Sequence, residues 1–383
     1  MQLKMYDSLK EIAQVKWENL EHGDFPFSRY AFLLALEKSG CVGGKSGWLP
    51  AYLTLWEDNT LIGAMYLYEK NHSYGEYIFD WQWAAAYERC GEPYYPKMLS
   101  AVPFTPATGP KILVHGARDK SLIERALLTA ARDVMTKRHC KSFHVLFIPE
   151  QDVDVYREQG FMIRHTFQYH WKNRGYRTFD DFLKDLKGDK RKNILKERRE
   201  VNAQAMTIEI VTGDALRIEH ARAMYQFYRS TIEKMRAIPY LTLNFFERVI
   251  TTMPNHVVLC LARSKDSSPD QWVAGALNFK MGRSLFGRYW GCLEEFSFLH
   301  FELCYYQTVE YAIANDIQLF EAGAQGDHKL RRGFLPNMTY SAHFLQDHRF
   351  HNAIELYTKD EARLLAEEIE AAKSHYPFKE TQS

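Results

Sequence analysis

Apolar and polar positions along the chain switch repeatedly between a helical and a strand period. Leu9, Ile12, Ala13, Val15 and Leu20 fall at helical spacing, and Tyr30 to Leu36 resume it after Pro26, so residues 5–40 read as two helices. Trp48 to Trp56 and Leu61 to Tyr68 read as strands around the turn Glu57-Asp-Asn-Thr60. Tyr95 to Ala101 reads as a short helix, and Ile112-Leu-Val as a strand entered through a proline turn. Asp119 or Ser121 caps an amphipathic helix that runs to about Lys137. Phe143 to Ile148 is a buried strand ending at Pro149, and Phe161 to Trp171 is another.

The layout then repeats. Met206 to Val211 is strand-like, 214–236 and 243–253 are helical, and His256 to Ala262 with Gln271 to Lys280 form a hairpin around a polar loop. Leu285 to Trp290 is a strand, 298–315 a long helix, Gln318 to Glu321 and Thr339 to Leu345 strands, and about 351–373 a last helix. Gly63-Ala64-Met65 and Gly75-Glu-Tyr77 recur at Gly275-Ala276-Leu277 and Gly287-Arg-Tyr289, an offset of 212 in each case. The expectation is an α/β (α+β) fold of two tandem domains, 1–175 and 176–383, each a mixed sheet flanked by helices.

Composition narrows the partners. A chain of 383 residues with 46% hydrophobic and 25% charged residues can bury large cores without disulfides or metals. A formal net charge of +1 gives no global pull toward nucleic acid or an anionic membrane. The six cysteines are scattered without a Cys-x-x-Cys pair, and no apolar run is long enough to span a bilayer. The amino terminus lacks the apolar core of a signal peptide, so the expected location is the cytoplasm, with no metal site.

One exception to the even charge is residues 179–205. Lys184, Lys187, Lys190, Arg191, Lys192, Lys196, Arg198 and Arg199 surround an apolar stripe of Phe182, Leu183, Leu186, Ile194 and Leu195. This basic helix, or helical pair, is either a solvated face or a contact surface for the phosphates of RNA, tRNA among them, or of a nucleotide-linked substrate. Gly44-Lys45-Ser46 lacks the leading glycine and preceding strand of a phosphate loop, which leaves a Gly-rich loop, either a simple connection or a mobile segment beside the active cleft.

Chemistry concentrates in Leu319 to Phe334. Glu321 ends a short apolar run, Gly323 and Gly326 give backbone freedom, and Gln325, Asp327, His328, Lys329, Arg331 and Arg332 follow. Such a strand-to-helix junction points side chains and free N–H groups into a crevice at the sheet's end. Glu321 is the first candidate base, with His328, His300 and Glu302 beside it. Lys329, Arg331 and Arg332 are candidates for a phosphate or carboxylate, with Gln325 and Tyr289 as further substrate contacts. Glu76, Asp80 and Trp81 form a polar-aromatic segment suited to an acceptor amine.

Several of these segments carry a family resemblance. Trp48-Leu-Pro, His72-Ser-Tyr-Gly-Glu-Tyr77, Asp80-Trp-Gln-Trp-Ala84, the Tyr94 to Pro106 stretch, Gly287-Arg-Tyr-Trp-Gly-Cys292, His300 to Gln307 and Phe320 to Leu330 resemble the bacterial FemAB-like family of predicted N-acyltransferases. The resemblance implies tandem GNAT-like acyltransferase domains related to the Fem aminoacyl transferases. Lys190 to Lys196 is similar to the basic segment opening the second Fem domain. Leu330-Arg-Arg-Gly-Phe334 resembles the Fem Phe-Lys-x-x-Phe element with Arg331 in the lysine position, which keeps charge and changes geometry.

The implied activity is transfer of an acyl or aminoacyl group to a small-molecule or peptide amine by direct attack, without a covalent enzyme intermediate. No Gly-x-Ser-x-Gly element and no cysteine in a nucleophile context contradicts this. The implied donors are acyl-CoA or aminoacyl-tRNA, and neither half carries the Arg/Gln-x-x-Gly-x-Gly/Ala loop usual for CoA. The alternative is a non-catalytic module of the same fold that recognises a peptidoglycan precursor or RNA.

Overall fold

The computed structural model describes residues 1–379. In chain order it begins with β1 (Gln2–Tyr6), α1 (Gln14–Glu18), α2 (Tyr30–Lys38), β2 (Trp48–Glu57), β3 (Thr60–Lys70), α3 (Trp81–Arg89), β4 (Lys97–Ser100), β5 (Ile112–Val114), α4 (Lys120–Lys137), β6 (Ser142–Ile148) and α5 (Val153–Glu158). Next come β7 (Met162–Lys172), α6 (Phe179–Asp185), α7 (Gly188–Ala203), β8 (Met206–Thr212), α8 (Ile218–Lys234), α9 (Leu243–Thr252), β9 (Val257–Ser264), β10 (Trp272–Met281) and β11 (Ser284–Cys292). The chain ends with α10 (Leu299–Phe301), a π-helical turn (Glu302–Tyr306), α11 (Gln307–Ala314), β12 (Leu319–Glu321), β13 (Leu335–Leu345) and α12 (His348–Ala372).

These elements fall into two units: Met1–Thr166 with Met338–Glu368, and Phe167–Asn337 with Ile369–Ser383. The expected boundary at 175/176 therefore moves to within β7, and β13 and α12 return the chain to the first unit. Ala342 to Leu345 pair with Ser142 to Val145 of β6, and Ala342 sits in the core beneath α4. That long-range pairing leaves no local trace in the sequence.

In the first unit β1, β2, β3 and β4 are successive antiparallel neighbours, β4 runs parallel to β6, and β5 pairs with β3. Asp119 caps α4 as expected, its carboxylate accepting from the Leu122 N–H. Tyr95 to Ala101, expected as a helix, holds β4 instead. Lys97 to Ser100 are all buried, between β3 and β6. Lys97 can be buried there because carboxylates distant in sequence meet its charge, which local reading cannot supply. Residues 2–6, read as preceding or opening a helix, are an edge strand on β2.

The second unit orders its strands β8, β9, β10, β11, β12 and the second half of β7. Its basic segment is a helical pair, with Thr178 capping α6 and Leu186 breaking it from α7. Gly63 and Gly275 each let a helix approach a strand. A Cβ would strike Ile123 of α4 in one case and Met224 and Phe227 of α8 in the other. Gly75 lies in a loop and Gly287 in β11, so the second spacing match joins dissimilar positions.

The tightest approach is Gly291, where a Cβ would stand 1.9 Å from the Phe227 carbonyl oxygen. Gly291→Ala must push α8 off β11. We expect a loss of about 3 kcal/mol of stability, read by urea unfolding; a loss below about 0.5 kcal/mol would contradict this packing.

Candidate functional site

The cleft of the second unit arises from a strand pair that separates. β11 and β12 run parallel for three pairs, Ser284↔Leu319 to Phe286↔Glu321. β12 then ends while β11 continues to Cys292. Against β10 the register slips between Leu277↔Tyr289 and Asn278↔Gly287, so Arg288 is the extra residue of a bulge. The gap is a cleft of about 390 Å³, with Arg288, Tyr289 and Trp290 on one wall and Ala322, Gln325 and Lys329 on the other.

The helix after β11 supplies its imidazole. Because Glu302–Tyr306 is a π turn, residues five apart share a face, and His300 meets Tyr305 edge to face at a centroid distance of 5.6 Å. His300 also lies 5.1 Å from Trp290 and 5.9 Å from His328. His328 Nε2 is 3.1 Å from the Tyr305 hydroxyl. Burial, with the neighbouring His328, Arg332 and Lys329, brings His300 down to about 4, and burial first, then the two cations, lowers His328. Both rings are therefore neutral near pH 7. Lys329 Nζ donates to the carbonyls of Ala322 (2.6 Å) and Gly323 (3.2 Å), and burial lowers it to about 8. An ammonium has three donors, and those two bonds leave one for the cleft.

The structure thus brings His300, His328, Lys329, Gln325 and Tyr289 together around one cleft. It does not bring Glu321 there. Strand alternation turns that buried side chain opposite to Phe320, whose ring packs in the core with Tyr305 and Phe334. Glu302, also expected as a base, is buried against Arg198 (3.0 Å) and Gln307 (2.7 Å). Arg332, expected to bind substrate, is held by Glu197 (2.7 and 2.8 Å), Tyr306 and the His328 carbonyl, with its guanidinium 3.4 Å over Phe301. It ties α7 to the turn that carries His328 and Lys329. Arg331 lines an adjoining chamber of about 410 Å³ with Lys190 and Asn193.

Glu76 and Asp80 lie in the first unit, where their expected role as open acceptor-amine ligands meets a buried lysine. Lys97 Nζ donates to Glu76 (2.8 Å), Asp80 (2.5 Å) and Ser73 (2.8 Å). Burial raises Glu76 to about 7. Burial also opposes the charge of Asp80, but Lys97 and His144 outweigh it and hold Asp80 well below the usual carboxylate range. Lys70 lies 3.8 Å over the Trp48 ring, brought down to about 7 by burial. Trp81 is exposed and opens α3.

Sequence reading missed Tyr305, Arg288 and Lys97. The π turn and the bulge that place the first two are features of the fold. Lys97 was hidden by being read as helical. No group of three or more His, Cys, Asp or Glu side chains among the described residues could hold a metal, and no helix among them is long and apolar enough to cross a membrane.

Comparison with known proteins adds the following. A family profile described as peptidoglycan biosynthesis/recognition matches residues 8–380. FemX superposes with a TM-score of 0.54 at 11% identity, over 93% of this chain and 100% of that one. L-PGS from Bacillus licheniformis gives 0.50 at 9% identity, over 82% and 90%. The C-terminal domain of an Agrobacterium fabrum protein assigned as a lysylphosphatidylglycerol synthetase gives 0.54 at 7% identity, over 91% and 96%. No curated protein sequence matches the chain. At these identities the structural likenesses establish the fold alone, the mixed α/β architecture of a large sheet flanked by helices.

Proposed function

The chain belongs to the FemAB-like family, and on that premise we infer that it transfers an acyl or aminoacyl group to an amine in the cleft between β11 and β12. The observation that carries this is the opened strand pair with a neutral imidazole and a partly free ammonium on its walls. Transfer to an amine requires that the two reactants be held in contact, the carbonyl polarised and a proton removed. The acceptor nitrogen attacks the carbonyl carbon, and a C–N bond forms as the ester or thioester bond to the donor breaks. His300, whose ring nitrogens have no hydrogen-bond partner among the described residues, takes the amine proton, which passes to the leaving oxygen or sulfur. Lys329 faces the oxygen that gains negative charge. His328, tied to Tyr305, fixes the ring beside His300.

An aminoacyl ester fits this chain better than CoA. In the second unit the segment that leads from β11 to α10 has no glycine and carries Glu294 and Glu295, the latter paired with Lys234, a poor match for a pyrophosphate. In the first unit the Asp119 carboxylate already occupies the N-terminus of α4. The acceptor fits the family's peptidoglycan theme as an amine of a cell-wall precursor.

The test is transfer from charged tRNA, beside acyl-CoA, to a peptidoglycan-precursor amine, with the pH dependence of kcat/KM. After correction for the acceptor's own ionisation, activity should fall on acidification as His300 is protonated near pH 4, and fall again near pH 8 as Lys329 loses its proton. Lys329→Ala should remove the alkaline limb. No transfer from either donor sinks the reading, and an unchanged alkaline limb in Lys329→Ala removes the role given to Lys329.

A further inference from the structure

The charge of the cleft wall says what kind of group it can hold. Among the described residues no aspartate or glutamate lines the cleft, while Lys329 and Arg288 do. The rest of the wall relevant to a side chain is apolar or aromatic: Met235, Leu277, Trp290 and Phe320. The carboxylates nearest in sequence are committed elsewhere. Glu302 binds Arg198, Glu197 binds Arg332, Asp327 lines the adjoining chamber and accepts from the Tyr169 hydroxyl, and Glu321 is on the other side of its strand. The ionisable groups facing the cleft already show what it does to cations, since Lys329, His300 and His328 are all moved toward their neutral forms, by burial first.

We propose that the cleft selects acyl groups with an uncharged side chain and excludes cationic ones such as lysyl. A lysyl ammonium, with an ordinary pKa of about 10.4, would lose water there, find no carboxylate and face two like charges, each of which disfavours it, whereas the much less basic α-amine of an aminoacyl ester enters by giving up its proton. An unbranched hydrocarbon chain with the same four carbons loses none of these and gains apolar contact. The inference rests on the reading of the cleft as the acyl site and names the class of group that site accepts.

The experiment isolates the charge. Binding of Nα-acetyl-norleucinamide and Nα-acetyl-lysinamide to the full chain is measured by calorimetry or ligand-observed NMR at pH 7. The two probes share a straight four-carbon side chain and differ in the terminal ammonium. The norleucine amide should bind at least tenfold tighter. Met235→Glu puts a carboxylate on the exposed rim of the cleft, and it should narrow the ratio to below threefold, mainly by tightening the lysine amide. Equal binding of the two probes to the unsubstituted protein overturns the charge selection while leaving the acyl site standing. Binding of neither probe at millimolar concentration overturns both.

Discussion

Lys97→Met is expected to destabilise the first unit by roughly 3–5 kcal/mol, the range for removing one member of a buried ion pair. Lys97 is fully buried, and its three donors go to Ser73, Glu76 and Asp80. Without it, two carboxylates that are 3% and 4% exposed keep only weak support. Lys70 Nζ is 3.8 Å from Glu76 Oε1, and the Tyr94 hydroxyl donates to Asp80 at 2.6 Å. One oxygen on each carboxylate already lacks a hydrogen-bond partner. The triple change Lys97→Met, Glu76→Gln, Asp80→Asn removes the charges together and should recover a large part of the loss, because neutral groups cost far less to bury than unpaired ions.

The sign of the pH dependence follows from Asp80. Its folded-state pKa is depressed, so it contributes stability above its unfolded value of about 3.9 that is lost as pH falls. Its neighbours His144, down at about 3 by burial, and His343, lowered well below its ordinary value by burial, act in the same direction. Both are neutral in the folded protein and must take up protons on unfolding below about pH 6.5. Urea unfolding followed for the first unit from pH 7 to 4 should show a net fall in stability: the two imidazoles each take away roughly 1.4 kcal/mol per pH unit below about pH 6.5, and Glu76, raised to about 7, returns a similar amount down to its unfolded value of about 4.3. Lys97→Met as stable as the parent, or a triple variant no better than the single one, would refute the account of the cluster.

His300→Ala should lower kcat by about 10²- to 10³-fold, within the range for losing a positioned proton acceptor. KM should change little, because the ring contributes to the moving proton more than to holding either substrate. His328→Ala should give a smaller loss, about tenfold, since it acts by keeping Tyr305 and His300 in place. Glu321→Ala, whose side chain is outside the cleft, should leave the acid limb of the pH profile where it is. Full activity in His300→Ala would move the proton acceptor elsewhere. A Glu321→Ala variant that loses the acid limb would return that role to the residue first read from the sequence.

The sequence by itself determined the α/β class, the tandem layout and most of the elements, because periodicity is local and a buried face needs apolar residues at a set spacing. It also singled out a stretch whose side chains the fold gathers: His328, Lys329, Gln325 and Tyr289 line one cleft with His300. Tertiary structure alone decided which of these groups face the cleft. Glu321 is excluded by strand alternation, Glu302 and Arg332 by ion pairs to Arg198 and Glu197, which lie more than 100 positions away. Tyr305 and Arg288 enter through a π turn and a bulge, one-residue shifts that no spacing rule in the sequence announces. Lys97 carries the same lesson in the first unit. A charged residue reads as exposed until the fold brings its partners to it, and only then does burying it become affordable.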